Sequence, residues 1–274
     1  MFPRPIAFLL CLFCACRVLA QAAPNDDCTL HSIKPCIVHV AQDQVGIITS
    51  PLRISGKDLL WIAPFGVATG LAIDYDAHAM RSLGSNPSRE EKFKKFSDYV
   101  GLYGPTAAPV IGYLVAAGTH NDYLQESSVL AGEATLDALI LNEGLKYAIN
   151  RERPNQGDGT GRFWPHGTAT WPDGQSMPSN HCMIAWSFAR VIAGQYNGVG
   201  TKVVVYSLAT AVSASRVLSR EHFPSDVIVG STFGYFIGDY VFRHRSRQAS
   251  LFSLSAVNTF NGKGVQLDIN LGRR

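Results

Sequence analysis

The longest stretch without a charged side chain, Tyr99 to Asn121, is bounded by Asp98 and Asp122, and it limits what the chain can become. An apolar run of that length is either packed inside a helical bundle or laid against lipid. Gly104, Pro105, Pro109, Gly112 and several hydroxyls weigh against a simple span, so both outcomes stay open. The surrounding pattern is helical from Asp58 onward. Asp58 to about Asp74 is a first apolar helix, in which Pro64 is expected to introduce a kink or an interruption. Glu126 to Asn150 is a long helix whose Glu133, Asp137, Glu143 and Lys146 are too many charges for a lipid-exposed span. Three further helices follow, at about 180–195, 201–219 and 224–242. The uncharged runs of the last two are too short to span, so they read as buried bundle helices. The expected fold is therefore all-α, a bundle of about six core helices.

Around this body the reading is less regular. Residues 1–23 have the layout of a secretory signal, with Arg4 ahead of the apolar stretch Ile6 to Cys16 and small residues closing it. Residues 24–57 show no sustained periodicity and are expected to form an irregular N-terminal arm. Residues 58–247 make the helical domain. Residues 248–274 form a tail in which Asn261-Gly262 separates two alternating segments, a β-hairpin signal. Residues 84–98 read as a charged loop with a short helix and a solvated face. Residues 155–177, rich in Gly and Pro, form a long loop whose Phe163, Trp164, His166 and Trp171 supply aromatic cover for a pocket.

Charge and cysteine usage narrow the function. The net charge of +3 falls to +1 if Arg4 and Arg17 leave with the signal, so there is no basic footprint for nucleic acid. Export would place Cys28 and Cys36 in an oxidising compartment, where a disulfide between them is expected. Cys182 then has no partner and reads as a small buried core residue. His31 and His39 lack ligand spacing and are read as structural or exposed.

Three short stretches carry chemistry. Lys146 and Arg153 are seven positions apart, two helical turns, so both are expected to project from the same face, with Pro154 pushing Arg153 toward the helix mouth. Pro178-Ser179-Asn180-His181 sits where loop becomes helix, with Ser179 a candidate N-cap and the following amides an anion site. Ser215-Arg216, His222 and Asp226 bridge two helices, and Pro224 suits the first position of the second. Asp226 is placed to accept the proton-bearing nitrogen of His222, fixing its tautomer. Each stretch taken alone also fits a snorkelling cation, an ordinary cap or a surface histidine.

Together, in order, they resemble the superfamily of type-2 phosphatidic acid phosphatases, bacterial class A acid phosphatases and vanadium haloperoxidases. Its pattern K-x6-RP, PSGH and SR-x5-H-x3-D is met here by K-YAINRE-RP, PSNH and SR-VLSRE-H-FPS-D. The resemblance covers about residues 126–240 and implies a helical fold of that type. It implies His222 as nucleophile forming a phosphohistidine, Asp226 orienting it, and His181 as general acid. It implies Lys146, Arg153, Ser179, Asn180 and Arg216 as the phosphate cradle, with no metal and no cofactor. Asn180 stands where glycine is usual, which bears on substrate range. The implied activity is hydrolysis of phosphate monoesters, small-molecule or lipid, including phosphatidic acid and lipid pyrophosphates, by an exported, periplasmic or secreted enzyme. Alternatives are a membrane-associated enzyme with its site on the outer face, a vanadate-dependent haloperoxidase, and a non-catalytic phosphate- or lipid-binding relative.

Overall fold

The structure, a computed structural model, describes residues 28, 33–165, 175–246, 252–259 and 262–269. The signal segment, His31, His166, Trp171 and Asn261 lie outside the described residues. Helices dominate the described body, in the expected all-α arrangement. They are α1 (Ile33–Ile48), α2 (Leu59–Leu83), α3 (Pro87–Asp98), α4 (Gly104–Thr119), α5 (Asp122–Ile149), α6 (Asn180–Gln195), α7 (Val199–Leu218) and α8 (Pro224–Arg245). A 3₁₀ turn (Ser50–Arg53) follows α1. In the tail, the backbones of Phe252–Thr259 and Gly262–Ile269 pair antiparallel.

The closest packing in the bundle is between α6 and α8, and glycine makes it possible. A Cβ on Gly234 would stand 2.3 Å from the Met183 carbonyl oxygen, and one on Gly238 2.4 Å from that of Ser187. At Gly230 the obstacle is the Ser179 carbonyl oxygen, 2.7 Å away. Glycine recurring every helical turn thus lets the two backbones touch. The contact fixes where the two helices begin: the Ser179 amide donates to the Asp226 carbonyl at 3.1 Å. Around this seam, Leu130, Ala134, Val191 and Val241 form one core cluster, and Ala138, Met183 and Ile237 another. Cys182 is buried there as a free thiol.

The arm expected to be irregular contains the helix α1. Its docking face is largely polar, which is why hydrophobic periodicity misses it. His39 Nδ1 meets Glu133 at 2.9 Å, Gln44 donates to Asp137 at 2.9 Å, and Arg245 donates to Asp43 at 2.8 Å. Cys28 and Cys36 are joined by a disulfide at the start of this arm. Pro64 leaves α2 continuous; it stands in the second turn, where the one lost hydrogen bond weakens an end and not the middle.

The uncharged run folds as a π-turn (Tyr99–Tyr103) leading into α4, so helix extends without a break from Pro87 to Thr119. Among the described residues this is the one helix long and apolar enough to cross a membrane, and only 22% of its apolar window is buried. Val110, Ile111 and Leu114 face outward from it. Helix α7 departs from the expectation of a buried helix. Its Val199, Val203, Val204 and Leu208 are exposed while Ala209, Val212 and Arg216 face inward.

Candidate active site

The three motif stretches converge at one end of the bundle, where α5 ends and α6 and α8 begin. Helix α5 stops at Ile149 because Asn150 takes up a left-handed conformation (φ 43°) and caps it with a bond to the Lys146 carbonyl. Arg153 therefore lies beyond the helix, and the expectation that it shares a helical face with Lys146 is corrected. Both still reach the site. Lys146 is buried, and its pKa is lowered first by burial and also by the neighbouring Arg153 and Arg216.

His222 sits in the turn between α7 and α8 and is fully buried. Its Nδ1–H donates to the Ser176 carbonyl oxygen at 2.7 Å. Asp226, expected as the direct partner of the ring, has its nearer oxygen 3.7 Å from Nδ1. The physical reason is competition for the carboxylate. Asp226 caps its own helix by accepting the Phe223 amide at 2.9 Å, and it also takes the Ser176 hydroxyl at 2.5 Å and Arg151 Nη1 at 2.7 Å. It thus holds Ser176, whose carbonyl holds the ring. The resulting tautomer leaves Nε2 as the unprotonated nitrogen. The His222 pKa is depressed well below the usual imidazole value, first by burial and then by Arg216, Arg153 and Lys146.

His181 stands in the first turn of α6, and its Nε2 lies 2.9 Å from Asp98 Oδ1. Its pKa is also pushed far down, by burial first and then by Arg216, His222, Lys146 and Arg153. In the resting site both imidazoles are therefore neutral. Ser179 is at the N-cap position with extended backbone, but its hydroxyl makes no capping bond and its amide is taken by Asp226. Of the expected 179–181 cradle, that leaves the amides of Asn180 and His181 at the helix start. Among the described residues, the buried Ser179 Oγ, Asn180 Oδ1 and Arg216 Nε have no hydrogen-bond partner. Buried polar groups without partners are rare, and a cluster of them at a cationic helix N-terminus marks a place for a polar ligand.

Several residues of the site carried no motif signal. Asp98, read as part of a solvated face, bonds His181 and lies 3.5 Å from Arg216 Nη1; Ser97 accepts from that same nitrogen at 2.9 Å. Arg151 is fully buried and donates to Asp76, Ser225 and Asp226. Glu221 accepts from Arg153 at 2.5 Å and pairs with Lys94 at 2.8 Å. Asp98 was visible as the last charge before the uncharged run, and Arg151 and Glu221 adjoin motif positions. Asp76, far away on α2, gave no local sign. Phe163, in the long loop, packs on Arg151 at 4.9 Å and so serves the scaffold beneath the site. Among the described residues, no group of three or more His, Cys, Asp or Glu side chains is arranged to hold a metal ion.

A helical bundle that gathers two neutral imidazoles and three cations around the unpartnered Ser179 hydroxyl and Arg216 Nε–H is able to hold an oxyanion. Residues 128–249, which contain every motif position, match the family model of the PAP2 superfamily. Over 115 residues the chain is 29% identical to the lipid A 1-phosphatase of Porphyromonas gingivalis, covering 38% of this chain. The match spans 25% of that relative's length. The chain is also similar to a crystal structure titled as the first transmembrane PAP2 type phosphatidylglycerolphosphate phosphatase from Bacillus subtilis. That similarity has a TM-score of 0.49 and 17% identity, covering 65% of this chain and 92% of the other.

Proposed function

We propose that this protein is a membrane-associated phosphatase that removes the phosphoryl group from lipid phosphate monoesters or pyrophosphates through a phosphohistidine on His222. The observation that carries the reading is the held tautomer: Nδ1–H is bonded to Ser176, which leaves the Nε2 lone pair available to attack. In the first step Nε2 bonds to phosphorus while the bond to the leaving oxygen breaks. Lys146, Arg153 and Arg216, with the Ser179 hydroxyl and the first-turn amides of α6, hold the charge on the non-bridging oxygens.

His181 supplies the proton to the leaving oxygen. Its ring is neutral at rest because burial first, and then the surrounding cations, depress its pKa; an arriving phosphoryl dianion offsets the cations, and Asp98 adds a further negative neighbour. The ring then takes up a second proton and passes it on. In the second step water attacks phosphorus, its proton returns to His181, and the P–N bond breaks to free phosphate and His222. Fixed cations neutralise the transferring group, so the reaction is expected to proceed with a chelator present.

Lipid substrates are supported by the exposed apolar residues of α4 and α7 and by the lipid phosphatase relative. The test is phosphate release from phosphatidic acid in detergent micelles with EDTA present. Wild-type protein should turn over and His222→Ala should not; full activity in that variant overturns the assignment.

A further inference from the structure

The clamp already contains an anion. Oε2 of Glu221 accepts from Arg153 Nη1 at 2.5 Å and lies 3.4 Å from Arg216 Nη2, so one carboxylate oxygen engages both clamp guanidinium groups. Oε1 lies 2.8 Å from Lys94 Nζ on α3. The geometry points to Glu221 as an internal competitor for the phosphoryl clamp, which must leave Arg153 and Arg216 when a phosphoryl group enters and returns to expel product phosphate. The inference rests on the reading that this clamp takes the phosphoryl group.

The donors that Glu221 occupies on Arg153 Nη1 and Arg216 Nη2 are withheld from a phosphoryl oxygen while it stays, and two like charges that close in a water-poor pocket repel strongly. The carboxylate is fully charged: burial pushes its pKa up, but Lys94, Arg216 and Arg153 together bring it below the ordinary value. Its exit route is marked by burial. The Arg216 side chain is 3% exposed, that of Arg153 24% and that of Lys94 52%, so the third partner leads toward solvent. The turn carrying Glu221 is itself held, with the Glu221 and His222 amides both donating to the Arg216 carbonyl at 3.2 Å. The side chain therefore moves while His222 stays. Asp98, the other acid near Arg216, is engaged by His181 and does not bridge the two arginines.

A scaffolding role predicts the opposite sign. If Glu221 serves to align the arginines, removing its charge loosens them and weakens phosphate binding. The experiment is inhibition by inorganic phosphate, with KM and kcat for an aryl phosphate, in wild type and Glu221→Gln. The expected result is phosphate inhibition tightened by roughly tenfold or more with a lowered KM. Unchanged or weaker phosphate inhibition overturns the proposal. Glu221→Asp, whose shorter side chain keeps the charge but loses reach to both arginines, should tighten inhibition in the same direction and serves if the glutamine variant does not fold. Wild-type protein that neither binds phosphate nor releases it would instead overturn the phosphatase reading.

Discussion

Replacing Arg151 by methionine tests the scaffold beneath the site. The guanidinium donates to Asp226 Oδ1 at 2.7 Å, Asp76 Oδ2 at 2.8 Å, Ser225 Oγ at 2.6 Å and the Gly161 carbonyl at 3.2 Å. It also lies 4.4 Å from the Phe223 ring centre and 4.9 Å from that of Phe163. Both carboxylates are fully buried, so the methionine variant leaves two buried acids without the counter-charge they share. Breaking a buried pair by removing one partner costs about 3–5 kcal/mol, and the lost ring contacts place this case toward the upper end. For a domain of this size that corresponds to a fall in Tm of about 6–20 °C. Thermal unfolding followed by far-UV circular dichroism measures it. Adding Asp76→Asn removes one of the stranded charges and should recover part of the loss. A fall of less than about 1 kcal/mol in the single variant, or no recovery in the double, would refute the reasoning.

Three further outcomes follow from the same geometry. Gly234→Ala places a Cβ 2.3 Å from the Met183 carbonyl oxygen, forces α6 and α8 apart and should cost about 1–3 kcal/mol, with a drop in activity because Ser179 and Asp226 shift; unfolding and turnover measured together check it. Asp98→Asn should lower kcat on an alkyl phosphate about tenfold to a hundredfold while sparing an aryl phosphate, whose leaving oxygen needs no proton; equal losses on both would argue against its acting through His181. His222 should stay neutral as pH falls through the ordinary imidazole range, because burial and its cationic neighbours depress its pKa; an NMR titration of the ring reads this directly. The sign for stability is the same: the unfolded chain takes up a proton below about pH 6.5 that folded His222 refuses, so this residue lowers stability as pH falls below that point.

The bundle and the motif residues were legible because they depend on local pattern. Helices α5, α6 and α8 announce themselves by apolar runs and by Pro224 at a helix start, and the phosphate motifs by spacing. Helix α1 was not legible, because it docks through His39, Gln44 and Asp43, whose partners Glu133, Asp137 and Arg245 lie on other helices. The same reason hides Arg151. Beside a recognisable Arg153 it looks like a second surface cation, and only the fold brings Asp76 to it. Spacing placed Asp226 correctly near His222 but not the order of contacts, since the Ser176 carbonyl that intervenes comes from a loop without periodicity.

The central claim is the attack of His222 on phosphorus, and the covalent intermediate tests it most directly. Purified protein is mixed with phosphatidic acid carrying a labelled phosphoryl group, quenched in alkali and assayed for bound label, which a phosphohistidine keeps in alkali and loses in acid. Wild-type protein should hold such label on the peptide containing His222, and His222→Ala should hold none. Turnover without label in the wild type, or label persisting in the alanine variant, would contradict it.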